Sequence, residues 1–392
     1  MRYDFDTPVN RRGTDSIKWR KYGDDVLPMW VADMDFVSPV PVIEALRKRV
    51  DHSVFGYPDG ILGEPGDLPA FRQLMIDRLA DRYGWRIQPE DLVFLSGVIP
   101  AFHLACHAVS TPGGGVLMHT PIYPPILNAP QTTGVARQDA PLARDVDGAY
   151  RIDWDAFAAA IRPETRLFIL CNPHNPTGRV FTRAELQRMA EICLRRGVVI
   201  CSDEIHCDLI YTGQRHVPIA SLDPDIARST ITLMAPTKTF NLAGLQGAIA
   251  VIPNPELRRR YQQASRGLVG WINLMGLLAG EAVYREGQEW LDQLLVYLEA
   301  NRDFLCEYVG HELPGITMAK PEGTYLAWLD CRNAGIEGNP FEFFLQKAHV
   351  ALSDGAQFGP GGEGFVRLNF GCPRATLAEA LERMKRALAS GA

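Results

Sequence analysis

The sequence predicts an α/β protein whose larger part is a mostly parallel sheet between helices, followed by a smaller α+β part. Three observations carry that prediction. From Asp91 onward, short apolar or β-branched runs alternate with helix-like stretches, the rhythm of βαβ units. Some of these runs, Leu167-Phe-Ile-Leu-Cys171 above all, are apolar at every position, as strands covered on both faces must be. After Gly287 the rhythm changes to one long amphipathic helix and then to strands and helices in α+β order, so a domain boundary is expected near Arg285.

Length and composition agree. A chain of 392 residues is too long for one ordinary core. With 46% hydrophobic and 22% charged residues and a net charge of -6, it lacks the basic excess of a nucleic-acid binder. No run of about 18 apolar residues is present, and the N-terminus has no apolar signal core, so a cytoplasmic protein with no membrane partner is expected. Eight cysteines are scattered without a CxxC pair, which indicates neither disulfides nor a metal site.

Taken in order, residues 1 to 37 have little periodicity, yet Leu27 to Phe36 is unusually apolar for an arm and must be covered by something. Ser38-Pro39 opens a helix through about Val50, and Phe71 to Tyr83 forms a second one, stopped by Gly84. Between them, the turn-rich loop Phe55 to Gly60 carries one phenol, Tyr57. Leu92 to Leu95 is a strand. It turns at Ser96-Gly97-Val98-Ile99 into a helix over Ala101 to Val109, and free N–H groups at such a junction suit a phosphate.

Val116 to His119 is the next strand, and the flanking prolines stiffen Tyr123 at its exit. Asp153 to Ile161 is a short helix. Strand Leu167 to Cys171 ends in Asn172-Pro-His-Asn-Pro-Thr-Gly178, a rigid loop with amide side chains to offer. Thr182 and Glu185 form a capping box for a helix to Gly197. Strand Val198 to Cys201 runs into Ser202-Asp-Glu-Ile-His206, and strand Thr230 to Leu233 stops before Pro236. Gly247 to Ile252 follows as a strand, with helices over Leu257 to Gln263 and Leu274 to Arg285. In the last part, Tyr325 to Leu329 and Phe365 to Phe370 are strands. Asn339-Pro340 with Glu342 opens a helix ending near His349, and Thr376 with Glu379 reads as a capping box for the terminal helix.

Lys238 stands alone among uncharged residues just past a strand. On that segment alone it reads as a solvated loop lysine. However, ligands gather at the C-terminal edge of open α/β sheets, and Ser96, Tyr123, Asn175, Asp203 and Lys238 all fall at that edge. A lysine withdrawn from water can become the free amine that forms a Schiff base. One cofactor would use the whole set: an aldehyde for Lys238, a phosphate for the glycine turn, a flat ring for Tyr123 and a ring nitrogen for Asp203. Pyridoxal 5'-phosphate has these four handles. Arg367, on its strand, would hold a substrate α-carboxylate with its planar fork.

The motifs Asn172 to Gly178, Ser202 to His206, Pro236-Thr-Lys-Thr-Phe-Asn-Leu-Ala-Gly-Leu-Gln246 and Arg367-Leu-Asn-Phe-Gly-Cys-Pro-Arg374 carry a resemblance. So does Trp30-Val-Ala-Asp-Met-Asp35 in the arm. Together they resemble the fold-type I pyridoxal-phosphate enzymes of the aminotransferase class I/II superfamily, specifically the aminotransferase-like cystathionine β-lyases (the MalY/PatB C-S lyases). The resemblance implies a seven-stranded, mostly parallel sheet in a cofactor-binding domain over 48–285, a small domain over 286–392, and an arm and helix over 1–47 that pack on the small domain and a dimer partner. It also implies that Lys238 is the Schiff-base lysine and general base, Asp203 the pyridine partner, His206 a ring-side neighbour and Asn175 the donor to the cofactor's 3-oxygen. Tyr123 would stack on the ring and assist catalysis. Val98 and Ile99 would give N–H groups, and Thr237 a hydroxyl, to the phosphate. Tyr57 would reach the site of the neighbouring subunit in a homodimer, and Arg367, Tyr57 and Asp33 would face the substrate.

Two departures from ordinary aminotransferases matter. Gln246 replaces an arginine eight residues after the lysine, and Ala235 replaces a serine three before it. Both, with His206 in place of a tyrosine, favour the lyase branch. The expected activity is therefore α,β-elimination from an L-cysteine S-conjugate such as cystathionine, giving pyruvate, ammonia and a thiol. The alternatives are an aminotransferase and a pyridoxal-binding regulatory protein with little turnover. The thiol half is left to walls formed by Trp30 to Phe36, Tyr57 and the loop near Gly355 to Gly362.

Overall fold

The computed structural model describes residues 1–58, 68–145 and 148–390. Asp59 and Gly60 of the Tyr57 loop lie outside the described residues. Thirteen strands are described: β1 (Leu27–Pro28), β2 (Leu92–Leu95), β3 (Gly115–Thr120), β4 (Ala136–Arg144), β5 (Tyr150–Ile152), β6 (Thr165–Cys171), β7 (Val199–Asp203), β8 (Thr230–Met234), β9 (Ala248–Val251), β10 (Leu326–Asp330), β11 (Val350–Ala351), β12 (Ser353–Asp354) and β13 (Phe365–Asn369).

Eight of them make one sheet in the order β2-β9-β8-β7-β6-β3-β4-β5. The run β8-β7-β6-β3-β4 is parallel, whereas β9 is antiparallel to both β8 and β2, and β5 is antiparallel to β4. The sheet thus has one strand more than the seven expected. The addition is the three-residue β5, paired with β4 at the sheet edge.

Period-two alternation along each strand divides the core. In β6, Leu167, Ile169 and Cys171 face one way, into a cluster with Phe102, Ala105 and Val109 of helix Val98–Val109. Phe168 and Leu170 face the other way, against Leu186, Met189 and Cys193 of helix Arg183–Arg195. Both faces are covered, which is why the strand is apolar throughout. Thr182 and Glu185 do form the expected capping box.

The third core holds the arm. Phe5, Met29, Met34 and Phe36 pack with Trp290, Leu294 and Leu298 of the long helix Gln288–Glu312 and with Leu326, Val366 and Leu368 of the small antiparallel sheet β10-β13-β12. β1 of the arm also pairs in parallel with β11. This is the cover that the apolar arm required.

Two helices start elsewhere than the sequence suggests, the one after β2 at Val98, inside the stretch read as a turn, and the terminal one. The terminal helix runs Arg374–Ser390, so Thr376 lies inside its first turn and cannot be its cap. The Leu377 N–H already bonds to the Pro373 carbonyl at 3.1 Å, and Glu379 pairs along the helix with Arg383. Proline, lacking an N–H of its own, suits the entry and displaces the start upstream.

Candidate active site

Because β2, β3, β6, β7 and β8 point the same way, their C-terminal ends share one edge. β9 begins at that edge, with Leu95 of β2 opposite Ala248. A cavity of about 290 Å³ opens there, and Ser96, Tyr123, Asn175, Asp203, His206 and Lys238 all contribute to its wall. Val98, Ile99 and Thr237 join them. Among its described lining residues, Lys238 is the only lysine or arginine and Asp203 the only carboxylate.

Lys238 sits in a helical turn, Pro236–Thr239, directly after β8. Pro236 ends the strand and starts the turn. The amine donates to the carbonyl oxygen of Ala32 in the arm at 2.6 Å. Burial lowers its pKa to about 8; Asp33 and Asp203 oppose that shift and Arg367 adds to it.

Asp203 ends β7, one strand over. Its carboxylate accepts the Ile205 N–H at 3.1 Å and belongs to none of the ion pairs among the described residues. Burial therefore raises its pKa to about 7, with Glu204 adding to the rise. His206 is buried with its Nδ1 unpartnered, and Tyr325 meets its ring edge-on at 6.0 Å. Burial, then Lys238 and Arg367, depress the imidazole to about 3, so the ring is neutral.

Arg367, in the middle of β13, is buried and, among the described residues, has no carboxylate partner. Its Nη1 donates to Asn175 Oδ1 at 2.9 Å, its Nη2 to the Trp30 carbonyl at 2.9 Å and Ser353 Oγ at 3.1 Å, and its Nε has no partner. Burial lowers its pKa to about 10. Tyr123 lies between these charges: burial raises its phenol, Arg367 opposes and Asp203 reinforces the shift.

At the other end of the cavity, Val98 and Ile99 begin a helix whose first N–H groups have no intrahelical acceptor. Gln246 closes that end with φ at 61°, a left-handed conformation uncommon outside glycine.

Two expected site residues stand apart. Tyr57 is 84% exposed, with the Trp271 ring edge-on to it at 6.2 Å, and is not among the described residues of the cavity wall. Asp33 is turned to Arg11, at 2.7 Å, and likewise does not line the cavity. Conversely, Ser353 and Tyr325 touch the key side chains though no sequence motif marks them, and Ala32 does so from within the arm segment Trp30 to Phe36 expected to form a wall. Ala32 contributes only its backbone carbonyl.

The chain is similar to known proteins over nearly its whole length. A model of the family "Aminotransferase class I and II" matches residues 32–384. "Cystathionine beta-lyase PatB" of Bacillus subtilis is 41% identical over 98% of this chain and 99% of its own. Among solved structures, one titled OvoB superposes with a TM-score of 0.93 at 43% identity, covering 100% of both chains. The PLP-bound C-S lyase from Staphylococcus hominis gives 0.90 at 32% identity, covering 98% of this chain and 99% of that one. A match of this length, on a fold whose sheet edge gathers these side chains, means that the chain belongs to the aminotransferase class I and II family.

Proposed function

We propose that the protein is a pyridoxal-phosphate-dependent carbon-sulfur β-lyase that cleaves L-cystathionine or a related L-cysteine S-conjugate. Among the described residues, the cofactor fit rests on the Asp203 carboxylate, which holds the Ile205 N–H but no cation, on the His206 Nδ1, which has no partner, and on the N–H groups of Val98 and Ile99, which open a helix with no side-chain cap. A pyridinium nitrogen suits the first and a phosphate the last, with Thr237 adding its hydroxyl. Asn175 would donate to the 3-oxygen, and Tyr123 would stack on the ring. Bound there, the cofactor supplies an aldehyde for Lys238 and an electron-poor ring that accepts charge from the substrate's Cα.

The residues then divide the work. Arg367 takes the α-carboxylate in its fork and so fixes the direction of the Cα–H bond. Lys238, whose pKa burial lowers to about 8, removes the Cα proton onto Nζ. The Cβ–S bond breaks with its electron pair on sulfur, and Lys238 or Tyr123 returns a proton to the thiolate. Water completes the release of pyruvate and ammonia.

The single observation that carries this reading is Arg367, a buried guanidinium with no carboxylate among the described residues, bonded to Asn175 of the lysine's cavity. Preference for elimination over transamination rests on Gln246 and Ala235 and on the relative named cystathionine β-lyase. Because the family model is one of aminotransferases, transamination is the rival to exclude. A panel of cysteine S-conjugates given to the holoenzyme should release thiol from at least one, whereas keto acid without thiol from every conjugate would reverse the assignment.

We further propose a homodimer in which Tyr57 reaches the partner's phosphate site and the substrate beyond it. Phe55, Tyr57, Leu268 and Trp271 are exposed apolar or aromatic groups, and a second copy would cover them. The same reading divides the chain into an arm over 1–47, a cofactor domain over 48–285 and a small domain over 286–392. Among the described residues no helix is long and apolar enough to cross a membrane.

A further inference from the structure

The arm segment Trp30 to Asp35 touches both ends of the proposed chemistry. Its Trp30 carbonyl accepts from Arg367, and its Ala32 carbonyl accepts from Lys238. Asn241, three residues past the lysine, grips the same segment: Oδ1 takes the Met34 N–H at 3.1 Å, and Nδ2 donates to the Met34 and Phe36 carbonyls at 3.0 and 2.8 Å. Asn369, two residues past the arginine, donates to the Val31 and Asp33 carbonyls at 2.6 and 2.9 Å. The segment is a strut between the two strand ends.

The strut is stiffened from behind by a buried charge cluster that has no direct part in the elimination. Lys18 is 1% exposed and Asp35 4%. Lys18 Nζ donates to Asp35 Oδ2 at 2.7 Å and to the Asp33 carbonyl at 2.8 Å, on the residue next to Ala32. Arg11 reaches Asp35 Oδ1 at 2.9 Å, the Asp33 carboxylate at 2.7 Å and the Met34 carbonyl at 3.1 Å. Trp19 Nε1 adds a bond to Asp35 at 2.9 Å. Two cations with a half-buried and a buried carboxylate, all bonded, are costly to assemble and strongly directional once assembled.

We propose that Lys18, with Asp35 and Trp19, is a positioning device for the general base: it holds the Ala32 carbonyl where the Lys238 amine, once freed when the substrate's amine takes its place, donates one hydrogen to it. A neutral amine so held has its lone pair directed away from the carbonyl, toward the cavity and the Cα–H bond that Arg367 presents. An amine without that acceptor rotates about its last carbon bond, and the productive orientation becomes one of several. The proposal rests on the reading of Lys238 as the base.

The test uses holoenzyme and L-alanine, which carries a Cα proton but no leaving group. Exchange of that proton in D₂O is followed by NMR, and binding is followed separately by titrating the visible cofactor band. Wild type should exchange the proton. In Lys18→Met, exchange should slow about tenfold or more while the half-saturating alanine concentration and the cofactor content change less than about twofold. Trp19→Phe, which removes one neutral donor and leaves the charges paired, should fall between the two. Equal exchange in wild type and both variants overturns the positioning role alone. Loss of cofactor or of alanine binding in step with exchange, in Trp19→Phe as well as Lys18→Met, also overturns it, because a merely structural support would behave so. No exchange in wild type overturns both the proposal and the role of Lys238 beneath it.

Discussion

The amine of Lys238 lies 2.6 Å from the carbonyl oxygen of Ala32, across 206 residues of chain. The lysine therefore belongs to two structures at once, the strand edge that carries it and the arm that caps it. Its pKa of about 8 follows from burial between them. Removing the amine, in Lys238→Ala, should lower thiol release by at least about 10²–10⁴-fold, the range expected for losing a general base. Circular dichroism should remain native, since the side chain supports no core.

The same burial sets a pH dependence. A lysine whose folded pKa lies below its unfolded value of 10.5 contributes stability that is present above that value and is lost as pH falls through about 8. Its neutral, nucleophilic form grows through the same window. Reductive labelling of Lys238 in cofactor-stripped protein, mapped by mass spectrometry, should rise with a midpoint near pH 8. A midpoint near the ordinary lysine value would show that water reaches the amine.

Asp203 behaves in the opposite sense. Its folded pKa, about 7 against 3.8, means that its contribution to stability is full below 3.8 and lost as pH rises through 7. Asp203→Asn should therefore raise the Tm of cofactor-stripped protein at pH 8 and leave it little changed near pH 4. The same substitution should weaken cofactor retention and turnover, because the amide cannot hold a ring proton as a carboxylate does. A lower Tm at pH 8 would mean that Asp203 already has a partner.

Arg367 is expected to recognise carboxylate by shape as well as by charge. Arg367→Lys keeps the charge and loses the fork, and should reduce kcat/KM for cysteine conjugates by about 10–10²-fold, in keeping with the worth of one or two charge-assisted hydrogen bonds. Retention of near-wild-type kcat/KM would place the substrate carboxylate elsewhere.

Tyr57 tests the dimer. Sedimentation should give twice the chain mass. Mixing inactive Lys238→Ala with a crippled Tyr57→Ala should restore activity, because each mixed dimer holds one site with both residues intact. No recovery on subunit exchange would put Tyr57 outside the partner's site.

Much of this was legible in the sequence because strand ends are written plainly in it. Leu167 to Cys171 is an apolar run and Thr230 to Leu233 a largely β-branched one, stopped by Asn-Pro and Pro, and a parallel sheet brings the loops after those stops to one edge. Other parts were not. β4 reads Ala-Arg-Gln-Asp-Ala-Pro-Leu-Ala-Arg, half polar and broken by Pro141, because it lies near the sheet edge with an exposed face. The terminal helix starts at Arg374 because Pro373 and Arg374 hold its entry, the latter through its N–H to Tyr297 at 2.7 Å, and a Thr-x-x-Glu spacing inside a helix looks the same as one at its start. The Ala32 carbonyl's bond to Lys238 and the Lys18–Asp35 pair could not be read, since contacts between residues 206 and 17 positions apart leave no local pattern.

Product balance with L-cystathionine tests the central claim most directly. Purified holoenzyme should yield pyruvate, ammonia and thiol in equal amounts while the visible cofactor band persists through many turnovers. Bleaching of that band as a keto acid forms with the Cβ–S bond intact would contradict the account and make the protein an aminotransferase.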